Sequence, residues 1–176
     1  MPVGSPIPKH TTMSTTTLHP LRATDSTAAC AALFAQSEPW KTFAMDTAYF
    51  MDMLANPLNE THVVKVDEEI AGVVVVQMHG PFPGYIKSIV IGQKWTGRGL
   101  GRQLLEYAET RIFRDSPNVF LSVSSFNTGA RAFYLRMGYQ PIGELSDYLI
   151  RGASELLMRK TIGPVMHYHN QTGTNE

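Results

Sequence analysis

The stretch from Ile89 to Arg111, IVIGQKWTGRGLGRQLLEYAETR, restricts the fold of this chain more than any other. It is preceded by apolar, β-branched residues from Tyr85 onward, the composition of an interior strand ending at Ile91. Gly97, Gly99 and Gly101 follow, alternate positions without Cβ, where the backbone can turn tightly and approach a ligand. From Leu100, the apolar Leu104, Leu105, Ala108 and Ile112 fall on one helical face, and Arg102, Gln103, Glu106 and Glu109 fall elsewhere. A loop feeding a helix N-terminus presents unpaired N–H groups and the positive end of the helix dipole. That combination predicts an anion site, most naturally for phosphate or pyrophosphate.

Two common phosphate-binding patterns do not fit. A P-loop ends in Gly-Lys-Ser/Thr, and no such sequence follows. A dinucleotide fingerprint begun at Gly97 needs glycine where Arg102 stands, and an acidic residue about twenty positions on, where Phe120, Leu121 and Ser122 stand instead. The glycine loop alone therefore leaves the ligand open.

The 176 residues suit one domain with a sizeable core. Equal numbers of basic and acidic residues, 15 each, remove any electrostatic case for general nucleic-acid binding. The single cysteine, Cys30, excludes an intrachain disulfide framework and a cysteine-rich zinc site, and its apolar surroundings predict a buried structural thiol. No apolar run approaches the span of a bilayer and the N-terminus lacks a signal-peptide core, so the expectation is a cytoplasmic protein without a membrane partner.

Along the chain, residues 1–17 are rich in Pro, Ser and Thr and read as a disordered leader, with Met13 a second candidate start. Leu18 to Arg22 reads as an edge strand, and Thr24-Asp25-Ser26 carries helix-capping chemistry for a helix from Thr27 to Gln36. Ser37-Glu38-Pro39 ends that helix, and a second runs from about Asp46 to Leu54. His62 to Val66 and Ile70 to Met78 are strands of a hairpin. After the central unit come a strand, Val119 to Val123, a helix, Thr128 to Met137, and two further strands, Tyr139 to Leu145 and Leu156 to Thr161. The order is β-α-α-β-β-β-α-β-α-β-β, a mixed α/β layer fold of about residues 18–162, with a loose tail over 163–176.

Two segments now acquire a joint meaning. Ile91-Gly-Gln-Lys-Trp-Thr-Gly-Arg-Gly-Leu-Gly101, followed by Arg102-Gln-Leu-Leu105, opens a helix after a strand. Asn127-x-x-Ala130-x-x-Phe133-Tyr134-x-x-x-Gly138-Tyr139 does so again downstream. Together, and at this spacing, they resemble the two cofactor-binding segments of the GNAT superfamily of N-acetyltransferases, over about Thr61 to Lys160 and more loosely into the first helices. The family usually places Gln or Arg where this chain has Thr96; Arg98 is the neighbouring cation, and backbone amides supply most of such a site.

The resemblance implies an α/β (α+β) fold with a mixed, mostly antiparallel central sheet flanked by helices and splayed at its two central parallel strands. It implies acetyl-CoA as acyl donor, an amine of a small molecule or a protein as acceptor, and no metal; homodimers are common in the family. Thr96, Gly97, Arg98, Gly99, Leu100, Gly101 and Arg102 would cradle the pyrophosphate, and Ile89, Val90 and Ile91 would offer backbone groups to the pantetheine arm. Asn127, Ala130, Phe133 and Tyr134 would complete the cofactor site, with capping of the helix as the plainer role of Asn127. Tyr134 would protonate the departing thiolate, since a phenol of pKa about 10 carries its proton at neutral pH.

A base for the amine is not evident on the central strand, which carries Lys87 and Ser88 but no carboxylate. Glu38, His79, Asp147 and Glu155 are the candidates at loops and strand ends, beside a water relay. His62 and His79 read as ordinary strand and loop residues, and His167 and His169 as tail residues rather than metal ligands. Trp40 and the region of Tyr148, with the loop after Met78, are expected around the acceptor. A CoA-binding regulatory module without turnover is the alternative; a nucleotide-dependent oxidoreductase is disfavoured by the missing fingerprint.

Overall fold

The valine run of β3 (Glu69–Gln77) is buried from Ala71 to Val76, which a strand achieves only with both faces covered. A computed structural model of the chain describes residues 14–166 and 168. Around β3 it arranges β1 (Thr16–Pro20), α1 (Thr27–Ala35), α2 (Thr47–Ala55), β2 (Asn59–Val66), β4 (Tyr85–Ile91), α3 (Leu100–Ile112), β5 (Asn118–Ser124), α4 (Thr128–Arg136), β6 (Gln140–Ser146) and β7 (Ser154–Thr161). The expected element order is the observed one. Met1 to Met13, His167 and His169 lie outside the described residues.

The sheet runs β1-β2-β3-β4-β5-β7-β6, antiparallel throughout except for β4 and β5. Those two central strands pair only at Tyr85↔Phe120 and Ile86↔Leu121, and no pairing continues toward Ile91 and Ser124. The sheet therefore splays at its centre, as the family resemblance implied. Backbone N–H and C=O groups of β4 beyond Ile86 face this gap on one side, while β3 holds the other through Gly72↔Ile91.

Helices cover both faces. One cluster packs α3 and α4 on the sheet through Leu104, Leu105, Ile112, Leu121 and Tyr139; the other packs α1 and α2 through Phe34, Phe50, Val63, Val73 and Val90. Alternation along each strand assigns neighbours to opposite clusters, Val63 to one and Val64 to the other. A bulge in the β3–β4 register, where Val76 pairs with Ile86 and Val75 with Ser88, leaves Lys87 unmatched and changes which β4 residues face which helices.

Side-chain caps start three of the helices. Ser26 Oγ accepts from Ala29 N at 3.1 Å, Asp46 Oδ1 from Tyr49 N at 2.9 Å and Asn127 Oδ1 from Ala130 N at 3.2 Å, each worth roughly 1 kcal/mol. The first strand is shifted from its expected span. β1 begins at Thr16, inside the segment read as leader, and ends at Pro20, because the Arg22 N–H is taken by Asp25 Oδ2 at 2.8 Å in the turn into α1. Cys30 is fully buried in the α1–α2 cluster, as expected of a structural thiol.

Candidate active site

The splay between β4 and β5 opens a cleft of about 390 Å³, walled by both strands, the α1–α2 connection, the start of α4 and the β6–β7 loop. Sheet topology thus brings the end of β4 to the second segment: Ile89, Val90 and Ile91 line the cleft with Asn127, Ala130 and Tyr134, while Thr96 to Arg102 follow β4 in the chain and do not line it. Phe133 does not line it. Its ring lies half-buried against the α3–α4 cluster, 5.4 Å from the Tyr134 ring.

Past Ile91 the chain makes a short 3-10 turn, Gln93–Trp95, and enters the glycine loop. Gly97 and Gly99 hold φ of 75° and 77°, the left-handed region that glycine enters without strain. A Cβ at either position would meet no protein atom within 4 Å, so backbone conformation, not protein packing, requires glycine there. Gly99 is the N-cap of α3 and makes no side-chain cap, so the Arg102 N–H lacks the partner that Ser26, Asp46 and Asn127 give the corresponding N–H of the other helices, and it joins the first-turn N–H groups of Leu100 and Gly101. An uncapped helix start below exposed left-handed glycines is a donor set suited to a pyrophosphate, so the residues present fit the phosphate end of acetyl-CoA.

The side chains around this loop are already engaged. Thr96 Oγ1 donates to Gln93 O at 2.8 Å, so Thr96 closes the 3-10 turn with its side chain. The Arg98 guanidinium lies over the Trp95 ring at 4.8 Å, and Arg102 pairs with Glu106 at 2.8 Å. These contacts hold both cations at the loop with donors to spare.

Tyr134 is 7% exposed, its ring 5.7 Å from that of Tyr139. It lines the cleft, and its hydroxyl has no hydrogen bond among the described residues and is not among the sealed, unpaired polar atoms. Burial, with Tyr85 adding to it, pushes the phenol well above its ordinary range, so it remains protonated through neutral pH.

Among the expected bases, His79 and Asp147 are exposed and line no part of the cleft, and Asp147 Oδ1 accepts from Gly152 N at 2.6 Å. Glu38 lines the cleft but is exposed, its Oε2 accepting from Thr42 Oγ1 at 2.7 Å. Glu155 is 4% exposed, lines the cleft and accepts from Ser124 Oγ at 2.5 Å. Beside it, the Tyr85 hydroxyl donates to Ser122 Oγ at 3.0 Å, and burial raises the Tyr85 phenol further than that bond lowers it. Sequence reading missed Tyr85, Ser122 and Ser124; only their alternation on β4 and β5 hinted that they share a face.

Trp40 and Tyr148 line the cleft as expected, joined by Phe43 and Tyr49; the loop after Met78 contributes nothing to it. His62 sits on β2 away from this cleft, buried, with burial holding its imidazole toward the neutral form. Among the described residues no group of three or more His, Cys, Asp or Glu is arranged to hold a metal, and no helix is long and apolar enough to cross a membrane.

Comparison with known proteins agrees with this geometry. The Acetyltransferase (GNAT) family pattern matches residues 25–139, well over half of the chain. N-alpha-acetyltransferase RimI of Mycobacterium tuberculosis is 30% identical over 137 residues, covering 76% of this chain and 82% of that protein. The ribosomal-protein-S18-alanine N-acetyltransferase of Escherichia coli superposes with a TM-score of 0.66 at 19% identity, over 85% of this chain and 96% of that one. A GNAT acetyltransferase of Elizabethkingia anophelis, solved with acetyl-CoA bound, gives 0.67 at 18% identity, over 84% and 98%. The splayed sheet, the uncapped glycine loop and these likenesses have one conclusion: the chain belongs to the GNAT family of acetyltransferases, whose general reaction is acetyl-CoA-dependent N-acetylation.

Proposed function

We propose that this chain transfers an acetyl group from acetyl-CoA directly to a primary amine of a small molecule or protein, with both substrates bound together and Tyr134 as general acid. The observation that carries the reading is convergence. A buried, protonated phenol opens into the same cleft as the unpaired edge of β4, and an uncapped helix start follows that edge in the chain.

Acetyl-CoA supplies the activated thioester. Backbone N–H groups of the loop and α3 hold the pyrophosphate, and β4 takes the pantetheine arm as an added strand. A backbone N–H of β4 polarises the thioester carbonyl, and Tyr134 gives its proton to the departing sulfur. Direct transfer needs no enzyme nucleophile, in keeping with Cys30, whose thiol burial pushes up to about 11. The likeness to RimI puts peptide N-termini first among acceptors to try, followed by lysyl peptides and polyamines.

Calorimetric titration with acetyl-CoA, with NAD and ATP as controls, tests the donor. Selective binding followed by thiol release with one of these amines is the expected result. Selective binding without turnover on any of them makes the chain a CoA-binding regulatory module instead. No acetyl-CoA binding by the folded protein overturns the reading altogether.

A further inference from the structure

An acceptor amine reaches the cleft largely as an ammonium, and its nitrogen must lose a proton before it can attack. Among the described residues two carboxylates line the cleft, Glu38 and Glu155. Glu38 is exposed, and its Oε2 is tied to both the backbone and the hydroxyl of Thr42. Glu155 is buried, with Oε1 fixed by Ser124. Its Oε2 has no partner among the described residues and is not among the sealed polar atoms, which leaves it open to the cleft.

The strand pairing places this carboxylate on the side opposite the acid. Val119, Leu121 and Val123 of β5 face the cluster that contains Tyr134, so Ser122 and Ser124 face the other way, toward the Trp40 and Tyr49 side of the cleft. Antiparallel pairing of Ser124 with Glu155 carries Glu155 to that same face. A proton donor and a proton acceptor thus meet the cleft from the two sides of the splayed sheet.

We infer that Glu155 is the catalytic base that takes the proton of the acceptor ammonium, with Ser124 its positioning residue. The inference rests on the acetyl transfer proposed above. Glu155 removes one ammonium proton, and the freed lone pair forms the N–C bond. As the C–S bond breaks, the sulfur takes the Tyr134 proton and the second nitrogen proton restores Tyr134. Glu155 then releases its proton to solvent. One amide, one thiol and one proton result, and both side chains return to their starting states.

The test uses the full chain and three acceptors: a peptide with a free N-terminal alanine, a lysyl peptide and spermidine. With whichever the wild type acetylates, Glu155→Gln should keep acetyl-CoA affinity, because a glutamine oxygen can still accept from Ser124. At neutral pH its kcat/KM for the amine should fall by roughly 10²- to 10⁴-fold. That deficit should shrink about tenfold per pH unit as solvent deprotonates the amine. Tyr85, Tyr148, Lys87, Glu38 and Tyr134 also line the cleft and are the same in both proteins, so the difference between the two profiles isolates Glu155. A deficit constant with pH, or none, overturns the assignment and leaves the transfer reaction standing. No turnover by the wild type on any of the acceptors overturns both. Should Glu155→Gln lose acetyl-CoA binding, Ser124→Ala decides: it keeps the carboxylate, so a several-fold fall in kcat at unchanged acetyl-CoA affinity supports the role, and wild-type turnover refutes it.

Discussion

Replacing Tyr134 by phenylalanine separates chemistry from stability unusually cleanly. The ring is packed at 5.4 Å from Phe133 and 5.7 Å from Tyr139, contacts that a phenylalanine ring keeps. The hydroxyl has no hydrogen-bond partner among the described residues, so its removal orphans no buried group there. Folding stability should therefore move by no more than about 0.5 kcal/mol. Tyr134→Ala, by contrast, would empty an aromatic site at 7% exposure and should cost about 3–5 kcal/mol. Turnover is another matter. Loss of a general acid typically slows a reaction by about 10²- to 10⁴-fold, or roughly 2.7 to 5.5 kcal/mol of barrier. A thiol of pKa about 8.5 leaves far more readily than an alkoxide, which places the expected loss near the lower end, about 10²-fold in kcat. The assay is thiol release under saturating acetyl-CoA, with calorimetry confirming unchanged donor affinity and urea unfolding confirming stability. Wild-type kcat in a folded, acetyl-CoA-binding Tyr134→Phe would remove this tyrosine from the acid role, whatever else the protein does.

The remaining predictions concern the loop and the core. Gly99→Val forces a β-branched residue to φ of 77° with no compensating contact, so stability should drop by about 1–2 kcal/mol in urea unfolding and acetyl-CoA affinity should fall with the displaced N–H groups. Gly129→Ala is the control: it lies in α4 at ordinary φ with open space around its Cβ, so stability should stay level or rise by about 0.5–1 kcal/mol with binding unchanged. The Cys30 thiol is raised from 9.0 to about 11 in the folded chain, so the stability it contributes is fully present below pH 9 and is lost as pH rises through 11. Urea midpoints between pH 8 and 11 should fall less steeply in Cys30→Ala than in the wild type; parallel slopes would show that the thiol is not protected.

Much of this arrangement was legible in the chain. The 3.6-residue spacing of Leu104, Leu105, Ala108 and Ile112, the valine run of β3 and the caps Ser26 and Asn127 act within a few residues of themselves, so local sequence records them directly. The end of β1 was misplaced because Asp25 captures the Arg22 N–H, a competition between side chain and ladder that strand propensity does not register. The Thr96 hydroxyl donates to Gln93 O, a contact set by the closure of the 3-10 turn that the glycine motif does not record.

Sequence by itself determined the family, the order of elements and the two segments that meet at the cleft, because each depends on spacing within one strand-loop-helix unit. Tertiary structure alone decided what the cleft contains. Ser124 and Glu155 are brought together by β5–β7 pairing, and Tyr85 reaches Ser122 across the splayed pair β4–β5. Whether a given side chain faces the acid or the opposite side of the sheet turns on registers and on the bulge at Lys87. Strand side chains alternate with period two, so a single bulged residue reassigns every side chain beyond it, and no local pattern in the sequence fixes where that step falls.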